Sequence, residues 1–458
     1  MTQSHDLIVL GAGSGGLATA FRAAHHGARV ALLDPAMELG GTCVNRGCVP
    51  KKGMWFAAQL AHAQQLAVEF GFDSKPGALD WAHFRGLRQR YIQGINDRYA
   101  KRLKENKIEV LHQAGHFFAA DTIELTDGSR LQARHIVIAT GARPRKLDLP
   151  GFELGIVSDD MFDLTALPRR IAIVGGGYIA VEFAGMLKAL GAEVDVLALE
   201  QLLKGFDADV VQTLTKNMQS QGIRIFRGTE IQSARRATDG IVLNDAKAGE
   251  RGPYDALLWA VGRVPNSEKL KPDVIGLEID KFGHVLTDTQ QNTNVPGVYA
   301  VGDITSHKAL TPVAVAAGRR LADRLFGGQP HVRLTDENIP SVIFADPPLG
   351  MVGLTEDEAR KQYGDDAITV YRSEFRPMQW ALVDRQEHSL MKLVCAGEDE
   401  RVVGIHLLGP GTDEMLQGFA VSMTLGLRKR DLNAAIAIHP TSAEELLSMS
   451  SSGLITRA

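Results

Sequence analysis

The strongest constraint on the fold is a glycine-punctuated unit that the sequence writes twice. Asp6-Leu7-Ile8-Val9-Leu10 is an apolar run suited to a buried strand. Gly11-Ala12-Gly13-Ser14-Gly15-Gly16 follows, then a helical stretch through Leu17 to about His26, which Gly27 stops. Val30-Ala31-Leu32-Leu33 is the next strand and Asp34 closes it. The arrangement returns with the strand Arg170-Ile171-Ala172-Ile173-Val174 and the turn Gly175-Gly176-Gly177-Tyr178-Ile179-Ala180. A helix then runs to about Leu190, and after Gly191 comes the strand Glu193-Val194-Asp195-Val196-Leu197. These are two βαβ units, each expected to head its own domain.

Such a turn has a chemical purpose. Gly11 permits a sharp turn, Gly13 lets backbone approach a pyrophosphate, and Gly16 lets helix pack closely on strand. The helix N-terminus supplies partial positive charge. Asp34 stands where an acid bonds a ribose 2′-hydroxyl. In the second turn Ala180 takes the third position, which the pattern allows. Two dinucleotide sites imply two dinucleotides, and the natural pair is a flavin and a nicotinamide.

The rest of the chain fits that frame. His135 to Gly141 reads as a strand ending in a tight turn, with Pro144 and Pro150-Gly151 marking a linker. Asp255 to Ala260 is a strand, Pro265-Asn266 leaves the second unit, and Val298 to Asp303 is a strand with an acid at its end. From about Ile339 the pattern turns β-rich, at Ser341 to Phe344 and Met391 to Val394, before a helix from Asp413 to about Leu425. The expected fold class is α/β: two Rossmann-like dinucleotide-binding domains plus a C-terminal α+β dimerisation domain. The boundaries read as 1–142 for the flavin domain, 143–265 for the nicotinamide domain, 266–336 for a segment completing the flavin domain, and 337–458 for the interface domain. The small, polar tail Ser450 to Ala458 reads as mobile.

Length agrees, since 458 residues suit three domains of ~150 residues each. Fifty basic against fifty-four acidic residues argue against a nucleic-acid grip. No signal peptide or long apolar run stands out, so the expectation is a cytosolic protein without a membrane partner. Three cysteines cannot staple a secreted scaffold. Cys43 and Cys48 lie in Gly40-Gly41-Thr42-Cys43-Val44-Asn45-Arg46-Gly47-Cys48-Val49-Pro50-Lys51-Lys52, just past the first βαβ unit. A zinc site fails for want of a second cluster with ligand spacing, so no metal is expected. Two unrelated buried cysteines are the bland alternative. A redox-active dithiol, its thiolate favoured by a helix start and by Lys51 and Lys52, is the better account. Cys395, in Leu393-Val394-Cys395, reads as buried and structural.

Gly-Gly-Thr-Cys-x4-Cys between a flavin motif and a nicotinamide motif resembles the pyridine nucleotide–disulfide oxidoreductases. The resemblance runs on through Ala139-Thr140-Gly141, Gly262-Arg263-Val264-Pro265-Asn266, Val301-Gly302-Asp303, Leu310 to Ala314, Asp413 to Gln417 and His439 to Glu445. It implies that Cys43 attacks the substrate disulfide and that Cys48 lies against the flavin. It pairs Lys51 with Glu182 near the flavin's reactive edge. On the flavin side it places Gly11, Gly13, Ser14, Gly15, Gly16, Asp34, Gly41, Thr42, Lys51, Ala139, Thr140, Gly141, Asp303 and Thr311. On the nicotinamide side it places Gly175, Gly177, Tyr178 as a lid, Ile179, Ala180, Glu182, Glu200, Lys204, Gly262 and Arg263. His439 becomes the acid/base, oriented by Glu444 and delivered by the other subunit of an obligate homodimer. The chemistry asks for the same parts: a thiolate to attack, a group titrating near neutrality to move the proton, and a carboxylate to fix that group's tautomer.

Within the family, Val49-Pro50-Lys51-Lys52 resembles members that reduce glutathione disulfide, whereas lipoamide dehydrogenases usually carry Ile-Pro-Ser-Lys. Substrate-contacting positions fall on Ser14, Tyr99 and Arg319, and Arg22 is also kept. Phe21 departs from the polar or basic residue common there. The aromatic is shared with trypanothione reductases, which also carry an acid where this chain has Ala18. Arg46 is read either as a solvated charge or as an added carboxylate contact. Coenzyme choice is open between NADPH and NADH: Ala198 stands where a phosphate-binding arginine belongs, Lys204 stands at the second, and Glu200 could take a ribose hydroxyl or repel a phosphate. The expected activity is NAD(P)H-dependent reduction of glutathione disulfide or its amide analogue through FAD and the cysteine pair. A lipoamide dehydrogenase, or a flavin-binding redox sensor without turnover, are the alternatives.

Overall fold

A computed structural model describes residues 3–383, 385–450 and 455–457. The chain forms two compact units, each assembled from three segments. The first takes the chain up to Gly53, Ala82–Arg145 and Gly262–Asp336; the second takes Met54–Trp81, Lys146–Val261 and the chain from Glu337.

The first unit is built on a seven-stranded sheet. Strand Gln3–Leu10 runs parallel between Val30–Leu33 and Arg130–Ile138, with Leu7 facing Val30 and Leu10 facing Leu33. Glu109–Leu111 extends one side in parallel, and Val298–Ala300 pairs parallel with Arg130–Ile138. Thr122–Leu125 and Gly115–Ala119 add an antiparallel edge. Ile8, Leu10, Ile136, Ile138, Phe117 and Val298 share one core on this sheet. Strands buried on both faces read as continuous apolar runs, which is why Leu7 to Leu10 was conspicuous.

Helices Ser14–His25 and Thr311–Phe326 pack with their backbones close. A Cβ on Gly318 would lie 2.6 Å from the Gly15 carbonyl and 2.5 Å from Thr19 Oγ1. The first of these helices begins just after strand Gln3–Leu10, and Thr311 opens the second. Ser14 and Thr311, the first residues of the two helices, both reach the dithiol segment.

The second unit holds a five-stranded, all-parallel sheet ordered Arg224–Arg227, Glu193–Ala198, Arg170–Val174, Ala256–Trp259 and Ile156–Val157. A three-stranded antiparallel meander, Ile231–Ala237, Gly240–Asp245 and Gly249–Tyr254, joins it through a shared core of Leu243, Tyr254, Leu257 and Trp259. A six-stranded sheet follows, covered by helix Thr412–Thr424 through Leu416, Ala420 and Met423. The expected fold class is thus present. No helix among the described residues is long and apolar enough to cross a membrane.

Several boundaries move. The first helix starts at Ser14 and not Leu17, because Gly13 takes the extended N-cap conformation and the chain is helical directly after it. The strand expected over His135 to Gly141 is the buried end of Arg130–Ile138, whose first half alternates exposed and buried. The strand expected to reach Asp303 stops at Ala300, and that expected to reach Phe344 stops at Ile343. Within the tail read as mobile, Ile455–Arg457 forms a strand parallel to Ile368–Phe375. Residues 451–454 and 458 of that tail lie outside the described residues.

Candidate active site

In the first unit the glycine turn, the cysteine segment and helix Thr311–Phe326 converge. Gly41–Asn45 is a short helix carrying Cys43, and Cys48 is the first residue of the long helix Cys48–Glu69. A thiolate at a helix N-terminus gains from the backbone dipoles there. The Cys48 Sγ lies 3.6 Å from Thr311 Oγ1. Cys43 is hydrogen-bonded to Cys48, with the hydroxyls of Thr311 and Ser14 also in reach. The bond to Cys48, then burial, push the Cys43 thiol far above its ordinary range, and the two hydroxyls only partly offset this.

The first turn fits a dinucleotide. Gly11 has φ +110°, and a Cβ there would lie 2.4 Å from the Ala139 carbonyl. A Cβ on Gly16 would lie 1.9 Å from the Gly11 carbonyl, whereas Gly13 faces open space. No side chain caps this helix, so its first N–H groups are free for a phosphate. Asp34 accepts from Ala12 N at 2.6 Å and Ala36 N at 2.9 Å, which pins its carboxylate beside the turn. Gly41 sits against Gly13, where an added Cβ would approach Cα to 2.7 Å. Thr140 and Asn266 exchange hydrogen bonds of 3.0 and 2.8 Å beside Gly141. Burial pushes the Asp303 carboxyl up, and Arg263 partly offsets this; Arg263 also donates to the Ala142 carbonyl at 2.5 Å. Gly15, Thr42 and Lys51 lie within the same three segments.

The second unit carries the other motif. Gly175 has φ +138°, and a Cβ there would lie 2.2 Å from the Ala260 carbonyl. Gly177 is the N-cap of helix Tyr178–Ala189, open to solvent and with no side-chain cap. Tyr178 is half exposed, and Ile179 and fully buried Ala180 complete the first turn. Glu182 is buried and accepts from Phe344 N at 2.8 Å. Lys204 donates to Glu200 at 2.9 Å, and both side chains are exposed. His439 and Glu444 meet as expected, with Nδ1 2.9 Å from Oε2 and 3.2 Å from Oε1. Nδ1–H donates to the carboxylate, which leaves Nε2 as the working nitrogen.

On the substrate side, Arg319 is exposed on helix Thr311–Phe326. Arg22 is engaged: its Nε donates to Asp323, which also accepts from His26 at 2.8 Å. Phe21 is buried, stacked on Tyr99 with centroids 6.4 Å apart and rings inclined by 24°. The Arg102 guanidinium also lies over the Phe21 ring, 4.2 Å from its centroid. Arg46 is exposed. Sequence reasoning missed Arg102; the available signal was its place three residues after Tyr99, on the same helical face.

Comparison with known proteins agrees with this geometry. Residues 5–318 match the family described as pyridine nucleotide-disulphide oxidoreductase, and residues 339–450 match that family's dimerisation domain. The chain is similar to a glutathione reductase of Schizosaccharomyces pombe, 42% identical over 97% of this chain and 98% of the relative. It is also similar to a glutathione reductase of Yarrowia lipolytica, 38% identical over 97% of this chain and 98% of that relative.

Proposed function

The chain belongs to the pyridine nucleotide-disulphide oxidoreductase family, and we propose that it reduces glutathione disulfide with NAD(P)H by way of FAD and the Cys43–Cys48 pair. The observation that carries this reading is the dithiol itself, with Cys43 bonded to Cys48 beside the N-termini of two helices and within reach of Ser14 and Thr311. Bound FAD supplies the two-electron link between the nicotinamide and these sulfurs.

The protein's own groups then handle the disulfide. The bond to Cys48 and burial hold the Cys43 thiol up, so its attack needs a base, and His439 is the candidate. The Cys43 thiolate bonds to one sulfur of glutathione disulfide and the S–S bond breaks. The departing thiolate takes the proton held at His439 Nε2, while Glu444 keeps the ring in that tautomer. Cys48 then attacks the Cys43 sulfur of the mixed disulfide, and the second glutathione leaves as the Cys43–Cys48 bond forms. Lys51 and Glu182 are assigned to the flavin's reactive edge, and Ser14, Arg22, Tyr99 and Arg319 to the substrate side.

Coenzyme choice follows from charge. Lys204 is bonded to Glu200, so its cation is already compensated, and the same carboxylate opposes a 2′-phosphate. A weakened preference for NADPH, with use of NADH, is part of this reading. So are the four segments 1–142, 143–265, 266–336 and 337–458, an obligate homodimer, and a cytosolic setting, for which the cysteine usage is the support.

The purified protein should be yellow, and NAD(P)H should raise a long-wavelength band from a thiolate lying against the flavin. Cys48→Ser should abolish the band, and its survival would overturn the assignment of Cys48. Initial rates with glutathione disulfide, its amide analogue and lipoamide, each with both coenzymes, should favour one of the first two. Turnover of lipoamide alone would sink the substrate reading, and strong NADPH selectivity would sink the coenzyme reading.

A further inference from the structure

Helix Ser14–His25 starts at the dithiol and leads away from it. Ser14 reaches the Cys43 thiol, and Phe21 lies two turns further on, a rise of ~10 Å. That distance is within the combined span of one arm of a glutathione disulfide and an arginine side chain. The arm carries carboxylates, which call for a cation at its far end.

Two arginines stand nearby. Arg22 is bonded to Asp323, which His26 also engages, so this arginine's charge is shared within the fold. Arg102 takes part in no ion pair among the described residues and its side chain is exposed. Its guanidinium instead lies 4.2 Å from the centroid of the Phe21 ring. Phe21 is 8% exposed and also stacks on Tyr99, which shares a helix with Arg102. A guanidinium stacked on an aromatic ring keeps its in-plane N–H donors free for a carboxylate. It also covers the ring, which would otherwise be a seat for a substrate cation.

We propose that Arg102, held on the buried ring of Phe21, is a specificity-determining cation that receives a carboxylate of the disulfide substrate. Phe21 is the positioning residue, linking Arg102 and Tyr99 across two helices. This proposal rests on the glutathione disulfide reading and extends it to a residue packed on the far end of helix Ser14–His25.

The test compares wild type with Arg102→Gln, Arg102→Lys and Phe21→Leu on glutathione disulfide and on the neutral hydroxyethyl disulfide. Flavin content and NAD(P)H–ferricyanide turnover serve as folding controls. Arg102→Gln should raise KM for glutathione disulfide by roughly 10–100-fold with kcat little changed, as expected for loss of a charge-assisted bond. Hydroxyethyl disulfide should be unaffected. Arg102→Lys should recover part of the loss, and Phe21→Leu should move KM in the same direction as Arg102→Gln. Equal kcat/KM values for wild type and Arg102→Gln on glutathione disulfide would overturn the proposal. Should wild type leave glutathione disulfide untouched, the function reading fails first. The pair is then compared on lipoate and lipoamide, and a loss not confined to the carboxylate-bearing lipoate rejects the role of Arg102.

Discussion

Burial and neighbouring groups push the thiols of both Cys43 and Cys395 above their ordinary range, for different reasons. Cys395 lies in a fully buried strand, where burial and then the Glu400 charge hold its thiol up at about 12. Burial and the raised pKa both disfavour its thiolate. Cys43 is raised chiefly by the sulfur beside it, and that sulfur is its redox partner. Such a thiol reacts when a base removes its proton, the role proposed for His439 with its carboxylate. Glu444→Gln keeps the shape but exchanges the acceptor at Nδ1 for an amide that can present a donor. Glutathione disulfide turnover should fall about 100-fold, the scale of acid–base assistance, while stopped-flow reduction of the flavin by NAD(P)H stays unchanged. Equal losses in both half-reactions would show that Glu444 acts on the fold rather than on the histidine.

Elements differ in how plainly the sequence announces them. The two glycine turns were legible because phosphate binding demands small residues at fixed spacing, and strand and helix must follow at fixed offsets. The His439–Glu444 pair, five positions apart, was legible only through the family motif that runs from His439 to Glu445, since spacing alone does not mark a catalytic histidine. Long-range polar pairings leave no such trace. Lys392 reads as one polar residue in an apolar strand, yet its ammonium is buried and donates to Asp207 at 2.8 and 3.0 Å and Asp209 at 2.6 Å, and it lies 2.7 Å from Glu356. Arg102 was missed likewise, because its stack on Phe21 arises from the packing of two helices. Burial pushes the Glu356 carboxyl up, but hydrogen bonds from Lys392 and Arg360, joined by Arg372, outweigh it and hold it down at about 2. A lowered carboxyl contributes stability fully above its unfolded value of 4.5, and the contribution disappears as pH falls through about 2. Lys392→Met would leave the buried Asp207 carboxylate without its cation and take one cation from Asp209 and Glu356, which keep Arg372, and should cost about 3–5 kcal/mol at neutral pH, read from urea unfolding. Its deficit should shrink as pH falls from 4.5 towards 2, because these acids then protonate. A deficit independent of pH would mean that Lys392 contributes packing and not charge.

At the scale of the whole molecule, the question is which chain supplies the proton. His439 has a side-chain exposure of 78%, and Ile436 and Ile438 beside it are 97% and 78% exposed. A catalytic imidazole on an apolar, solvent-facing loop is poorly placed in a monomer, and the segment lies in a part of the chain that matches a dimerisation domain. On the dimer reading, a two-fold axis would bury this loop and turn each His439 towards the dithiol of the partner. Mixing two inactive variants tests this directly. Cys43→Ser lacks the attacking sulfur and His439→Ala lacks the base, so each homodimer is nearly silent. If the site is shared, a heterodimer joins the intact Cys43 of one chain to the intact His439 of the other. Random reassortment makes about half the dimers mixed, each with one of two sites complete, so denaturing and refolding the variants together should restore about a quarter of wild-type activity. A site formed within one chain yields no complete site in any combination, and the refolded mixture would remain as inactive as its parents.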